Sequence, residues 1–115
     1  MEFEVVFYRD EHGNSPIDEF LDDLKQRQPM LHRETDAGIR KLRNRRAHGL
    51  PLTRAVGDGL YELRIGRRNI VRVLWFFMTG AKIVVVEAFV KKTDKIPEQH
   101  RRRALHRKEN YLRRQ

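Results

Sequence analysis

Hydrophobic and polar positions divide the first half of the chain into one strand and two helices. Residues 2–8 (EFEVVFY) are rich in β-forming side chains and predict a strand. Ser15 followed by Pro16 is typical of a helix start, and an apolar stripe with a helical period follows. Residues 30–47 predict a second helix that Gly49 closes. We expect the two helices to form an antiparallel hairpin.

Apolar runs separated by short turns predict strands in the second half. These runs are Leu52–Val56, Gly59–Ile65, Ile70–Met78 and Ile83–Val90. Strands at this spacing form an antiparallel meander, and the two long strands, apolar on both faces, should be central and covered by helix. An amphipathic helix with a basic outer face then begins at Pro97. The predicted fold class is therefore α+β, with a single domain over residues 1–115.

Charge is unevenly distributed along the chain. The sequence contains 25 Lys/Arg and 16 Asp/Glu, a net charge of +9. Residues 1–28 contain three basic and eight acidic side chains, whereas residues 29–115 contain twenty-two and eight. This asymmetry favours nucleic acid or the ribosome as a partner over a solvated basic surface or an anionic membrane contact. The basic residues predicted to contact RNA or the ribosome are Arg40, Lys41, Arg43, Arg45, Arg46, Arg67, Arg68, Arg101 and Arg102.

Other classes of protein are disfavoured by what the sequence lacks. Cysteine is absent, so there is neither a disulfide framework nor a thiolate metal site. No apolar run reaches membrane-spanning length, and the N-terminus lacks a signal-peptide core, which predicts a soluble cytoplasmic protein with no membrane partner. The five histidines show no metal-ligand spacing, so we interpret them as surface residues and expect no metal and no cofactor.

Charged residues within the apolar strands indicate a polar patch whose composition depends on strand register. A two-residue turn at Thr79-Gly80 would place Arg72 opposite Glu87. An odd-length loop at residues 66–69 would place Arg64 opposite Arg72, whereas an even-length loop would separate them. On the favoured register, one face would hold Arg64, Arg72, Glu87 and Lys91 with Leu74, Val85 and Phe89. The other face would hold Trp75, Phe77, Val84 and Val86.

Two interpretations of this patch are open. Guanidinium groups suit bidentate phosphate binding, and preorganised positive charge is what phosphoryl transfer mostly requires. Alternatively, Arg72 and Glu87 form an ordinary cross-strand ion pair, worth about 0.2–1 kcal/mol, and Arg64 is merely solvated. In either case Glu87 fits a residue that positions Arg72 better than a catalyst.

The segments GLYELRI, IVRVLW and AFVKKTDKIP closely resemble the RelE/ParE superfamily of toxin–antitoxin toxins, and in particular its phage-derived HigB-like members. The most specific matches are Glu62-Leu63-Arg64, Arg72 within the IVRVLW strand, and Phe89–Thr93 followed by Lys95 and Pro97. The resemblance covers essentially the whole chain. It implies a RelE-like fold and a toxin paired with an antitoxin that carries a helix-turn-helix domain.

The resemblance also implies a reaction, in which the toxin cuts mRNA in the ribosomal A site without a metal. The ribose 2′-OH attacks the adjacent phosphate, which requires alignment, charge stabilisation and proton transfer. By position, the resemblance implies that Arg64 and Arg72 stabilise the phosphate and that Lys91 or Lys92 contacts the phosphate or the leaving oxygen.

The proton-transfer residue and the exact activity are left open by the sequence. The better-known nucleases of the superfamily use a tyrosine or histidine near the C-terminus, but His100, His106 and Tyr111 match no such position, and Tyr111 lies on the apolar stripe of its helix. The general base is therefore unassigned. Because the scaffold is shared, a ParE-like inhibitor of DNA gyrase and an inactive RNA-binding regulator remain as alternatives.

Overall fold

The computed structural model describes residues 2–115, apart from the side chain of Asn69. Its elements are β1 (Glu4–Phe7), α1 (Pro16–Arg27), α2 (Pro29–Lys41), β2 (Thr53–Gly57), β3 (Leu60–Ile65), β4 (Val71–Met78), β5 (Lys82–Val90) and α3 (Glu98–Arg113). Short 3-10 turns lie at Arg45–Ala47 and Arg67–Asn69. The predicted α+β class and order of elements are confirmed, and the architecture is compatible with a RelE-like fold.

The start of α1 follows the sequence prediction. The hydroxyl of Ser15 accepts a hydrogen bond from the Asp18 backbone N–H at 3.4 Å, and Pro16 occupies the first helical position. These contacts satisfy one free N–H group of the first turn and preset the backbone angle. The helix therefore enters in a fixed direction and buries Ile17 and Leu21 against the sheet.

The second helix is shorter than predicted, because α2 ends at Lys41 rather than at residue 47. Asn44 has extended backbone angles, and its side chain accepts a hydrogen bond from the Arg46 N–H to start a separate 3-10 turn. The Phe3 N–H donates to the Arg43 carbonyl at 2.7 Å, so the end of this region is held beside the N-terminal strand. Gly49 is thus not the helix cap.

One five-stranded sheet forms the centre of the fold, in the order β1-β5-β4-β3-β2. The pairings from β2 to β5 are antiparallel, as the meander prediction requires, and β1 adds to β5 in parallel. The two long strands β4 and β5 are central, as predicted. Helices α1 and α2 pack on one face of the sheet, and α3 packs on the other.

The register between β3 and β4 confirms one prediction, since Arg64 pairs with Arg72. The register between β4 and β5 contradicts the other. Met78 pairs with Lys82 rather than with Ala81, because residues 79–81 form a three-residue turn in which Gly80 and Ala81 have positive φ angles.

A β-bulge then shifts the pairing by a further residue. Trp75 pairs with Val85, whereas its neighbour Leu74 pairs with Glu87. Arg72 consequently lies opposite Phe89 and not opposite Glu87. A bulge inserts one unpaired residue and changes which side chains share a face beyond it.

Because of the altered register, the predicted assignment of Val84, Val85 and Val86 to the two faces of the sheet was wrong. Val85 packs in the core beneath α1 and α2 with Trp75, where Phe77 also contributes. Val84 and Val86 pack beneath α3, on the same face as Phe89. The polar patch and α3 therefore share one face of the sheet.

Candidate active site

A buried carboxylate with three arginines around it lies on the α3 face of the sheet. Glu62 of β3 has no exposed surface. Its Oε1 is 2.9 Å from Nε of Arg54 and 3.4 Å from Nε of Arg64, and its Oε2 accepts a hydrogen bond from Nη1 of Arg72 at 2.8 Å. The registers explain this grouping, because Arg54 lies opposite Glu62 and Arg64 lies opposite Arg72. We call Arg54, Glu62, Arg64 and Arg72 the arginine cluster.

Exposure differs strongly among the three arginines. The side chain of Arg72 is 6% exposed, that of Arg64 is 23% exposed and that of Arg54 is 42% exposed. Nε of Arg64 is buried and does not meet Glu62 in hydrogen-bonding geometry. The cluster thus contains one carboxylate and three guanidinium groups, and its excess positive charge is exposed at Arg54 and Arg64.

Lys91 directly follows β5 and lies at the end of the sheet where β4 begins. Its backbone N–H donates to the carbonyl of Ile70 at 2.7 Å, and its ammonium donates to the fully exposed carboxylate of Asp94 at 3.1 Å. The hydrogen bond and the positive charge of Lys91 lower the pKa of Asp94 below its usual value, and the charge of Arg72 lowers it further. Asp94 therefore lies within electrostatic reach of both Lys91 and the arginine cluster.

Glu87 does not position Arg72, and that prediction was wrong. Its buried carboxylate receives hydrogen bonds from three residues of α3, at 2.9 Å from His100, 3.1 Å from Arg103 and 3.1 Å from Arg107. The β-bulge separates Glu87 from the position opposite Arg72, and Glu62 provides the carboxylate there instead. Glu87 anchors α3 to the sheet.

His100 is not a surface histidine. Its ring stacks on Phe89 with a centroid separation of 4.1 Å and an interplanar angle of 5°, and its Nδ1 lies 2.9 Å from Glu87. It also lines a cleft of about 660 Å³ together with Lys92, Thr93 and Lys95. His48 likewise departs from the surface prediction, because it is partly buried beside aromatic rings of the other face.

The family model for phage-derived Gp49-like proteins (DUF891) matches residues 19–109. The chain belongs to this Gp49-like family. The family is part of the RelE/HigB-like toxins, and its members are commonly toxins of toxin–antitoxin systems. None of the curated proteins compared with the chain matches it significantly.

Most of the basic residues predicted to contact RNA are exposed in this Gp49-like fold. They lie at the end of α2 and in the turn after it (Arg40, Lys41, Arg43, Arg45, Arg46), between β3 and β4 (Arg67, Arg68) and on α3 (Arg102). Arg101 is the exception, because it is 25% exposed and donates to Asp58 at 2.8 Å. Its main contact is with the turn between β2 and β3.

Two further residues of the Gp49-like chain belong to the site but were not predicted for it. Glu62 was identified only as part of the motif Glu62-Leu63-Arg64, and Arg54 was not singled out. The signal for Glu62 was present, since it alternates with Arg64 along an apolar strand and must share its face. Arg54 lies on the short edge strand β2, and only the register reveals that it faces Glu62.

No described helix has both the length and the apolar character needed to cross a bilayer. Among the described residues, no group of three or more His, Asp or Glu side chains is arranged to hold a metal ion.

Proposed function

We propose that this chain is a ribosome-dependent mRNA endonuclease that inhibits translation, acting as the toxin of a type II toxin–antitoxin system. The observation that carries the proposal is the arginine cluster, with Lys91 beside it at the same end of the sheet. Family membership supports the toxin role but does not specify the reaction. The whole chain acts as one toxin domain.

The chemistry follows from the charge that the cluster holds in place. Attack of the ribose 2′-OH on the adjacent phosphate concentrates negative charge on the phosphoryl oxygens, and fixed cations stabilise that charge without rearranging. Arg54 and Arg64 reach the surface and would bind the phosphate, and Arg72 would add its charge from beneath. Lys91 would release its exposed partner Asp94 and bind the phosphate instead. The ammonium of Lys92 would contact the leaving oxygen.

Glu62 makes this accumulation of charge possible. Three guanidinium groups around a common point repel one another, and a buried carboxylate among them offsets that repulsion. Glu62 accepts one hydrogen bond from Arg54 and one from Arg72, so the one carboxylate holds both guanidinium groups in place. We propose that Glu62 is a positioning residue that fixes the arginines in a phosphate-binding geometry.

Docking on the ribosome would use the exposed basic residues of the other elements. The five basic residues at and beyond the end of α2, together with Arg67 and Arg68, are exposed. Such residues bind RNA phosphates largely independently of sequence. The partners of the proposed function are therefore the ribosome with its mRNA and a cognate antitoxin of the helix-turn-helix type, and the site of action is the cytoplasm.

The proposal is tested by controlled expression followed by mapping of mRNA 5′ ends in cells, and by incubating purified protein with mRNA in the presence and absence of ribosomes. We expect growth and protein synthesis to stop, new 5′ ends to appear within translated regions, and cleavage in vitro to require ribosomes. Replication arrest with intact translation would contradict the proposal and indicate a ParE-like gyrase inhibitor. Binding of RNA without cleavage would indicate an inactive regulator.

A further inference from the structure

Two contacts hold the ring of His100 in one orientation, one at a ring nitrogen and one on the face of the ring. Its Nδ1 lies 2.9 Å from the buried carboxylate of Glu87, and its face stacks on Phe89 at 4.1 Å. A carboxylate on one ring nitrogen fixes the tautomer, so that the other nitrogen of the neutral ring is a proton acceptor. Among the described residues, Nε2 has no hydrogen-bond partner, and the side chain is 18% exposed.

His100 lines a cleft that also contains basic and hydroxyl side chains. This cleft has a volume of about 660 Å³ and is formed by Val90, Lys92, Thr93 and residues 95–100. Lys92, Lys95 and Thr93 contribute the polar groups nearest in sequence to the strand end, and Glu98 contributes a carboxylate. The cleft therefore combines an oriented imidazole with cations that attract a phosphate backbone.

Phe89 connects this cleft to the arginine cluster. Arg72 and Phe89 are cross-strand partners on one face of the sheet, and the Cβ atoms of such partners are about 5 Å apart. His100 stacks directly on Phe89. Phe89 thus contacts the imidazole and is the cross-strand partner of Arg72, so the cleft and the arginine cluster are neighbours on one face of the sheet.

We propose that the His100 cleft is the proton-transfer site of the reaction, with His100 as the general base; this inference rests on the proposed nuclease function. Nε2 takes the proton of the ribose 2′-OH while the O2′ lone pair forms the bond to phosphorus. The bond from phosphorus to O5′ breaks, and O5′ takes a proton from the Lys92 ammonium or from water. The products are a 2′,3′-cyclic phosphate and a 5′-OH, and solvent restores the protonation states of both side chains.

Glu87 is a positioning residue in this scheme. It holds Nδ1 while Arg103 and Arg107 hold Glu87, so the imidazole is fixed through a network that spans β5 and α3. The charged groups that act on His100 are Glu87 from β5, Arg103 and Arg107 from α3, Glu98 at the start of α3, and Lys92 and Lys95 from the preceding loop. Of these groups, Glu87 is the one in direct contact with the ring.

The test compares His100→Gln and His100→Asn with His106→Gln, a matched control at an exposed histidine of the same helix. Single-turnover cleavage of ribosome-bound mRNA is measured across a range of pH, alongside thermal unfolding and ribosome binding. General-base catalysis contributes about 10²–10⁴-fold to a rate. We expect a loss of this size in the His100 variants with unchanged ribosome binding, and the wild-type rate in His106→Gln.

The pH profile distinguishes catalysis from a merely structural role. The wild-type rate should fall tenfold per pH unit on the acidic side of the profile, as for a reaction that needs one neutral imidazole. In a folded His100 variant this dependence should disappear. If the wild-type cleavage rate does not change with pH on the acidic side, the inference is overturned whether or not the variants fold. A His100 variant that keeps the wild-type pH dependence overturns it as well. If the wild-type protein does not cut RNA at all, the proposed function itself fails.

Discussion

Arg72 donates a hydrogen bond to Glu62 at 2.8 Å, although the two residues are ten positions apart and lie on neighbouring strands without being paired in register. Glu62 is fully buried and also lies within 3.4 Å of Arg54 and Arg64. The site is consequently built around an acid, and the arrangement of its cations depends on that one carboxylate.

Glu62→Gln should destabilise the fold by about 3–5 kcal/mol, because it removes the charge of a buried carboxylate that three arginine side chains surround. Urea unfolding measures this loss. The matched control is Glu98→Gln, which removes an exposed pair with Arg102 and should cost about 0–1 kcal/mol. Equal losses in the two variants would show that Glu62 does not hold the cluster.

Arg64→Gln should reduce mRNA cleavage by about 10²–10³-fold, the usual effect of removing one donor that stabilises transition-state charge. Arg64 is preferable to Arg72 as a test, because Arg72 is almost buried and its removal also affects folding. Arg113→Gln, at an exposed arginine of α3 that is not among the predicted RNA contacts, should cleave at nearly the wild-type rate. We expect Arg72→Ala to relieve toxicity as well, and retained antitoxin binding would show that the variant is still folded and that the loss lies in the reaction. Full toxicity of Arg64→Gln would remove Arg64 from the mechanism.

The sequence predicts the fold well, because its signals are local. Ser15-Pro16 marks a helix start, and the alternation in LYELRI assigns Glu62 and Arg64 to one face. The approach of Arg64 to Arg72 followed from an odd loop length, which the structure confirms.

The error at Glu87 has a single physical source. Neither the three-residue turn at 79–81 nor the bulge beside Trp75 has a distinctive sequence signal, and each moves the pairing of β5 by one residue. A side chain two positions from the expected register acquires different neighbours. The contacts of His100 with Glu87 and with Phe89 therefore emerge only from the structure.

Glu87→Ala should loosen α3. The carboxylate of Glu87 receives hydrogen bonds from three residues of that helix, and its loss should cost about 3–5 kcal/mol because it is buried and paired with charged groups. Amide hydrogen exchange should accelerate in α3 more than in α1. Glu109→Ala, at an exposed position of the same helix, provides the control. A loss below about 1 kcal/mol would show that Glu87 does not anchor the helix.

Asp94 should titrate below 3.8, the usual value for its carboxyl, because Lys91 donates a hydrogen bond to it and Lys91 and Arg72 attract its charge. A pKa lowered by folding means that the pair stabilises the protein above the unfolded pKa. That contribution is lost as the pH falls through the folded pKa. Carboxyl NMR titration should show a higher pKa for Asp94 in Lys91→Met and little change in Lys92→Met. An identical pKa in the wild type and in Lys91→Met would exclude the contact.

Ribosome binding should weaken steeply with salt, because each phosphate contact releases condensed counterions. Lys41 and Arg46 are exposed and form no ion pair among the described residues, so they are available to contact RNA. In Lys41→Gln/Arg46→Gln the slope of log K against log salt should become shallower by about 0.7–0.9 per lost contact. Arg27→Gln provides the control, because Arg27 pairs with Asp23 on the acidic helix α1. An unchanged slope in the double variant would exclude Lys41 and Arg46 from the ribosome-binding surface. Binding that is insensitive to salt would exclude an electrostatic interaction with the ribosome altogether.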